Sequence, residues 1–366
     1  MSIIKFAVSA ACFLALSLSP LRAADAPSPD DTARFLAGLK PSENSPLSAL
    51  AATPNWQRHA KYFDSIFAQT DANHLSKIRE FSKSRLTKTH DTLFYMFAGP
   101  DALHAVTFFP NESTYVLSGL EPAGNIPQLN TMSPNTLFGS LQNLAVSTRT
   151  LLTLSFFRTK DMKSELRTGP VFGTLPIIAV FLSRAGKTIH EISFVNIDND
   201  GALKPASDTS VKSNAKGVKV VFSAGADSRK QTLYYFSTDL SDSGLKASGF
   251  LAFCEKLGTG DSFVKSASYL MHSGNFSTVR KFLIEKSALL LQDDSGIPLS
   301  YFDPKIWKFQ PLGRYLGPID LFPGKNQPQM GELFRKGNPI PLDFGIGYRW
   351  RKNESNMLLV TRLANP

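Results

Sequence analysis

The chain has 366 residues, 42% of them hydrophobic and 19% charged, with 40 Lys and Arg against 30 Asp and Glu for a formal charge of +10. Such a balance excludes global disorder, and the length suits one large domain or two ordinary ones. The 28 Phe call for a core rich in aromatic surface, or one that encloses an apolar cavity.

Residues 1–23 read as a secretory signal. Lys5 supplies the positive n-region, Phe6 to Leu18 the apolar stretch, and Pro20 precedes a small-residue cleavage region ending at Ala23. The apolar run is shorter than the ~18 residues a membrane span needs, and no later stretch reads as a transmembrane segment. Removing Lys5 and Arg22 with the leader lowers the formal charge by two and leaves the chain basic. Cys254 is then the sole cysteine, so no intramolecular disulfide is expected, and its neighbours Phe250, Leu251 and Phe253 mark it as a buried small hydrophobe. These features place the protein in the periplasm.

Residues 24–53 form an N-terminal arm rich in Ala, Pro, Ser and Asp, and residues 54–201 a first α+β half. From Trp56 to Ser84 the apolar positions fall on one helical face, with a break between two helices expected at Asp71, Ala72 and Asn73. The basic cluster Lys83, Arg85 and Lys88 reads as a solvated face. Phe94 to Pro122 then holds three aromatic and β-branched runs separated by Gly99-Pro100-Asp101 and Pro110-Asn111-Glu112, the pattern of a strand meander. Ser133-Pro134 opens a long helix, with Ser as cap and Pro in the first turn, and Thr159 to Leu166 reads as a short charged helix. Leu175 to Leu182 predicts a short buried helix and Thr188 to Ile197 a strand apolar on both faces, hence covered on each side.

Residues 202–216 form a polar linker or a long hairpin loop, and residues 217–366 a second α+β half with a C-terminal tail. GVKVVFSAG and QTLYYFSTDL read as paired strands. Helices are expected over Ser248–Leu257, Asp261–Met271 and Asn275–Leu291. The Pro- and Gly-dense tail predicts a long segment wrapping the body, closed by a hairpin of Phe344–Trp350 with Met357–Thr361. Aromatic runs at Leu93–Phe97 and Leu233–Phe236, each ahead of an apolar helix, hint at a weak internal duplication. The fold class that follows is α+β, a mostly antiparallel sheet with packed helices.

No motif specific to one chemistry occurs: no G-x-S-x-G, H-E-x-x-H, paired C-x-x-C or Walker loop. Two clusters remain. Asp101 and His104, with Asn111 and Glu121, place a carboxylate where it can orient an imidazole, half of a general acid–base apparatus. The competing reading is that Asp101 caps the Gly-Pro turn and His104 is a satisfied strand residue. His272 with Gln292, Asp293, Asp294 and Ser295 puts adjacent carboxylates in a turn, which can share a proton or hold a divalent metal, although an ordinary acidic turn that ends a helix reads equally well. A hydrolytic or metal site requires His104, His272 and Asp294 to converge.

The stretches FAGPDALHAVTFFPNESTYVLSGLEPAG, SASYLMH and LQDDSGIP resemble those of a set of uncharacterised exported bacterial proteins. The resemblance implies export and brings no activity, cofactor or catalytic residue. Scattered basic residues in the C-terminal third suit an anionic envelope component or a small ligand as partner, and nucleic acid is not expected. The sequence thus points to a ligand-binding or envelope-associated protein, with a hydrolase, metal-assisted or not, and a structural or interaction protein as the alternatives.

Overall fold

The computed structural model describes residues 26–156, 169–211, 213, 215–225 and 228–363. The expected leader, residues 1–23, and the helix expected over Thr159–Leu166 lie outside the described residues. The N-terminal arm contains α1 (Pro29–Leu36) and the single turn α2 (Ser48–Ala51). Ser28 caps α1, accepting from the Asp31 amide, and α1 packs against the Leu175–Arg184 helix and the Thr188–Ile197 strand.

The expected break at Asp71 is absent. Helix α3 (Pro54–Thr70) runs through a π-helical turn, Asp71–Leu75, directly into α4 (Ser76–Arg85). One extra residue is absorbed in the turn without stopping the helix, a device that recurs at functional sites. A second correction concerns the meander. Thr92–Tyr95 is strand β1 and Thr114–Gly119 is β2, but Ala102–Phe108 between them is helix α5. Asp101 caps it by accepting from the His104 amide. Every residue of α5 is buried, so the run shows no amphipathic period, and its β-branched and aromatic content imitated a strand.

Helix α6 (Pro134–Leu154) starts as its sequence predicts, with the Ser133 hydroxyl accepting from the Thr136 amide, and α7 (Leu175–Arg184) is buried along nearly all its length. Strands β3 (Thr188–Ile197), β4 (Leu203–Pro205), β5 (Lys216–Ser223) and β6 (Gln231–Ser237) follow. The polar segment 202–216 thus contains β4, and the strands before and after it lie in one sheet. Helices α8 (Asp242–Lys246) and α9 (Phe250–Lys256) precede β7 (Gly260–Val264), α10 (Ser277–Lys286) and β8 (Ser287–Gln292). The helices expected over Asp261–Met271 and to the end of Asn275–Leu291 are corrected by β7 and β8. Both strands are short and buried on both faces, which removes the alternation that would have marked them. After β9 (Trp307–Gly313) and α11 (Pro328–Lys336), β10 (Asn356–Arg362) pairs with β8 and β9, so Met357–Thr361 does not form a hairpin with Phe344–Trp350.

The strands form one ten-stranded sheet in the order β4-β3-β5-β6-β2-β1-β7-β8-β10-β9. Five of its nine pairings are antiparallel, and the four parallel ones join β6, β2, β1, β7 and β8 at the centre. The topological repeat is β1-α5-β2 and β7-α10-β8; Leu233–Phe236 lies in β6, beside β2, and is not the counterpart of β1.

The two units step away from the β1/β7 seam in opposite directions. Crossovers of one hand then put their helices on opposite faces. The core follows: Leu93 and Tyr95 of β1 pack with Leu103, Val106 and Phe108 of α5, while Phe94 and Met96 pack with Val279, Phe282 and Leu283 of α10. A slip of one residue would exchange these faces throughout the centre, so both layers pin the register. Among the described residues no helix is long and apolar enough to cross a membrane.

Candidate functional site

Where neighbouring parallel strands send their chains to opposite faces, the carboxyl ends of the strands leave a crevice. Here that point is the β1/β7 seam, and the loops 96–101 and 265–270 diverge from it. A cavity of about 450 Å³ lies there, walled by Phe97, Leu120, Phe322 and Tyr348, with Lys265, Ser266 and Glu121 as polar lining. Leu120 and Leu321 at its edge are 55% and 74% exposed, an apolar rim that a purely structural loop does not require.

Its backbone is unusual. Phe97, Ser266 and Ser268 in its lining have positive φ, between 52° and 64°, as do Ser155 and Tyr269 next to lining residues. Each costs roughly 1–3 kcal/mol unless its surroundings impose it, and such residues cluster where a loop must hold a fixed shape. The surroundings do impose it. The Asp293 carboxylate accepts from the Ser266 amide at 2.8 Å, the Ser295 hydroxyl from the Ala267 amide at 2.7 Å, and the Tyr348 hydroxyl from the Ser268 amide at 3.1 Å. Gly347 approaches so closely that a Cβ there would lie 2.3 Å from Asp293 Oδ2.

Beneath the crevice lies a buried polar network centred on Asp101. Lys265 Nζ stands 2.9 Å from Asp101 Oδ2, the Tyr95 hydroxyl donates to the same oxygen at 2.8 Å, and His104 Nδ1 lies 2.9 Å from Oδ1. Lys265 also donates to the Ser155 carbonyl. Burial alone favours the neutral acid at Asp101, but His104 and Lys265 together outweigh it and hold the carboxyl well below the usual range. Burial, reinforced by Lys265 and opposed by Asp101, pushes His104 down, and burial with the nearby His104 and Lys265 brings His74 to about 3. Both rings are therefore neutral near pH 7.

The protons are then assigned by elimination. His104 Nδ1–H donates to Asp101, which leaves Nε2 as an acceptor for His74 Nε2–H at 3.2 Å. His74 sits in the π-helical turn of the α3–α4 rod, so the extra residue of that turn sets where its ring meets His104. The chain Lys265–Asp101–His104–His74 runs from the crevice to the surface groove in which His74 lies.

Both sequence clusters border this seam, from different sides. Asp101 and His104 lie together at the start of α5, as its N-cap and in its first turn, and Glu121 joins the crevice wall just beyond β2. Asn111 sits at the other end of β2, where its carbonyl accepts from Arg229. Asp293 and Ser295 hold the strained 266–267 backbone, whereas Asp294 accepts from Tyr269 at 2.6 Å and from Asn356 at 3.2 Å. Burial and the adjacent Asp294 push Asp293 up to about 7, and burial raises Asp294 as well. Gln292 closes its own turn through both side-chain atoms to Ile297. Burial lowers His272 to about 4, and its Nε2 has no hydrogen-bond partner among the described residues.

Among the described residues no hydrogen bond or ion pair joins Asp101 or His104 to His272 or Asp294. No group of three His, Cys, Asp or Glu side chains converges there as a metal-ligand set. His104, 2% exposed and with both ring nitrogens engaged, is a positioning group rather than one that reaches a ligand. The sequence reading missed Lys265, Tyr95 and His74. The signal for His74 was the broken helical period around Asp71. Lys265 gave none, because its partner Asp101 is distant in the chain. Compared with known protein families, curated proteins and solved structures, the chain matches none.

Proposed function

We propose that the protein is an exported, periplasmic binding protein that holds a small, mostly apolar molecule in the crevice at the β1/β7 seam. The observation that carries this reading is a crevice at a topological switch point, apolar at its rim and lined by three non-glycine residues of positive φ, Phe97, Ser266 and Ser268. The ligand's polar end is a neutral hydroxyl or carbonyl. The Ser266 Oγ is buried without a hydrogen-bond partner among the described residues and lines the crevice. Lys265 and Asp101 neutralise each other beneath it, so the floor offers no net charge to an ion.

The hydrolytic reading has less support, because His104 is sealed from the crevice and His272 and Asp294 make no bond to it or to Asp101. The test is a fluorescence titration with the neutral probe N-phenyl-1-naphthylamine, followed by displacement with 1-decanol. Wild type binds saturably and releases the probe to the alcohol. Leu120→Asp with Leu321→Asp, both at exposed positions, weakens binding at least tenfold without altering thermal unfolding. Equal binding by this double variant sinks the assignment to the crevice.

A further inference from the structure

A second concavity lies on the α5 face, between the α3–α4 rod, α6 and the loop 344–352, with a volume of about 870 Å³. Its lining brings together four cations, Lys77, Arg149, Arg351 and Lys352, and no Asp or Glu among the described residues. Three of these have carboxylate neighbours outside the lining: Lys352 pairs with Asp343, whose carboxyl Lys77 also helps to lower, and Arg351 stands 3.9 Å from Glu354. Those acids are solvated, 67% and 40% exposed, so water screens them more than it screens charge inside a concavity.

Aromatic rings complete the lining. Tyr62 and Trp350 are each 37% exposed although they are large side chains, and Phe344 stands beside them. Arg351 lies over the Trp350 ring at 5.1 Å, which orients both. Flat rings offer stacking faces to the C–H faces of a pyranose, and guanidinium forks suit phosphate or carboxylate oxygens. The volume falls within the range of small-molecule sites.

We infer that this groove is a second binding site, separate from the crevice, for a sugar that carries a phosphate or carboxylate group. Trp350 and Tyr62 take the ring, and Lys77 and Arg149 take the anion. The free sugar and the same group on a lipid headgroup share this chemistry, and experiment separates them.

Trp350 provides a local readout, since Trp56 and Trp307 are only 3% and 2% exposed. Quenching of its emission is titrated with glucose 6-phosphate, with glucose, and with phosphatidylcholine vesicles with and without a phosphorylated glycolipid. Glucose 6-phosphate quenches saturably, glucose binds at least tenfold more weakly, and Lys77→Glu with Arg149→Glu lowers affinity at least tenfold. The effect weakens with added salt. Quenching only by glycolipid vesicles, with the same dependence on Lys77 and Arg149, supports the site with the headgroup as its ligand. The inference is overturned if neither probe quenches, if glucose matches its phosphate, or if the charge-reversed variant, with wild-type thermal unfolding, binds as wild type does. The crevice variant Leu120→Asp/Leu321→Asp leaves these titrations unchanged, so each site fails or stands by itself.

Discussion

The units β1-α5-β2 and β7-α10-β8 share one topology and meet along one seam, yet their helices are held by different means. Helix α5 is wholly buried, and its cap Asp101 is also the centre of an ionic network. Helix α10 has no cap from its own N-cap residue; the Asp242 carboxylate accepts from the Thr278 amide instead, and buried Arg280 donates to the Met271 and Ser273 carbonyls. Val279, Phe282 and Leu283 are buried, and Lys281 and Glu285 lie in solvent as an i,i+4 pair. Such an exposed pair contributes only a few tenths of a kcal/mol, so α10 is held by its apolar face and by hydrogen bonds from Asp242 and Arg280, with no buried ion pair at its start. The second unit nevertheless supplies what the first requires: Lys265, at the end of β7, is the countercharge of Asp101. The comparison teaches that the seam is fastened by an asymmetric charge exchange, and that the crevice sits over this fastening.

The largest way to break that asymmetry is Lys265→Met. Removing one member of a buried pair leaves the other uncompensated, and a loss of about 3–5 kcal/mol in unfolding free energy is expected. Adding Asp101→Asn to it recovers part of the loss, because no lone charge then remains. Urea denaturation of the single and double variants checks this, and a double variant no more stable than Lys265→Met contradicts it.

The pH dependence sharpens the contrast next. Asp293, brought up to about 7 by burial and by Asp294, lies above its ordinary value of 3.8. The folded chain then holds a proton that the unfolded chain releases, so this group's stability contribution is present below pH ~4 and lost as pH rises towards 7. Asp101 has the opposite sign: its folded value is depressed, so its contribution is present above pH ~4 and lost in stronger acid. Asp293→Asn therefore flattens the decline in denaturation midpoint between about pH 4.5 and 7.5. Some slope persists through Glu112, which burial also pushes up to about 7. An unchanged slope in the variant refutes the assignment to Asp293.

Smaller effects test the crevice wall. Gly347→Ala combines a φ of +65° with a Cβ 2.3 Å from Asp293 Oδ2, and a cost of about 1–3 kcal/mol is expected, read as a lower thermal midpoint. Ser266→Gly goes the other way. Its φ is +52° and its hydroxyl has no partner among the described residues, so relief of the left-handed backbone stabilises by about 0.5–1 kcal/mol. The same change weakens decanol binding, separating shape held for function from shape held for stability. A destabilised Ser266→Gly shows that the hydroxyl has a structural task.

Much of the fold was legible where pattern is local. Ser133-Pro134 opened α6, and β3, β5 and β6 stood out by their β-branched and aromatic runs. The errors share one cause. Helix α5 and strands β7 and β8 are buried on all sides, so neither the helical nor the strand period survives in their residues. In the site, Asp101 and His104 were visible because they are three residues apart. Lys265, Tyr95 and His74 were not, because their roles arise from the pairing of β1 with β7 and from the π-helical turn.

By itself the sequence determined the mixed α+β class, the cap at Ser133, and the local carboxylate–imidazole pair, each set by interactions within a turn or two of chain. Tertiary structure alone decided the strand order, the seam and the partner of Asp101. Parallel strands carry no turn that fixes their neighbour, and a buried ion pair between remote segments exists only once packing has excluded water from both charges.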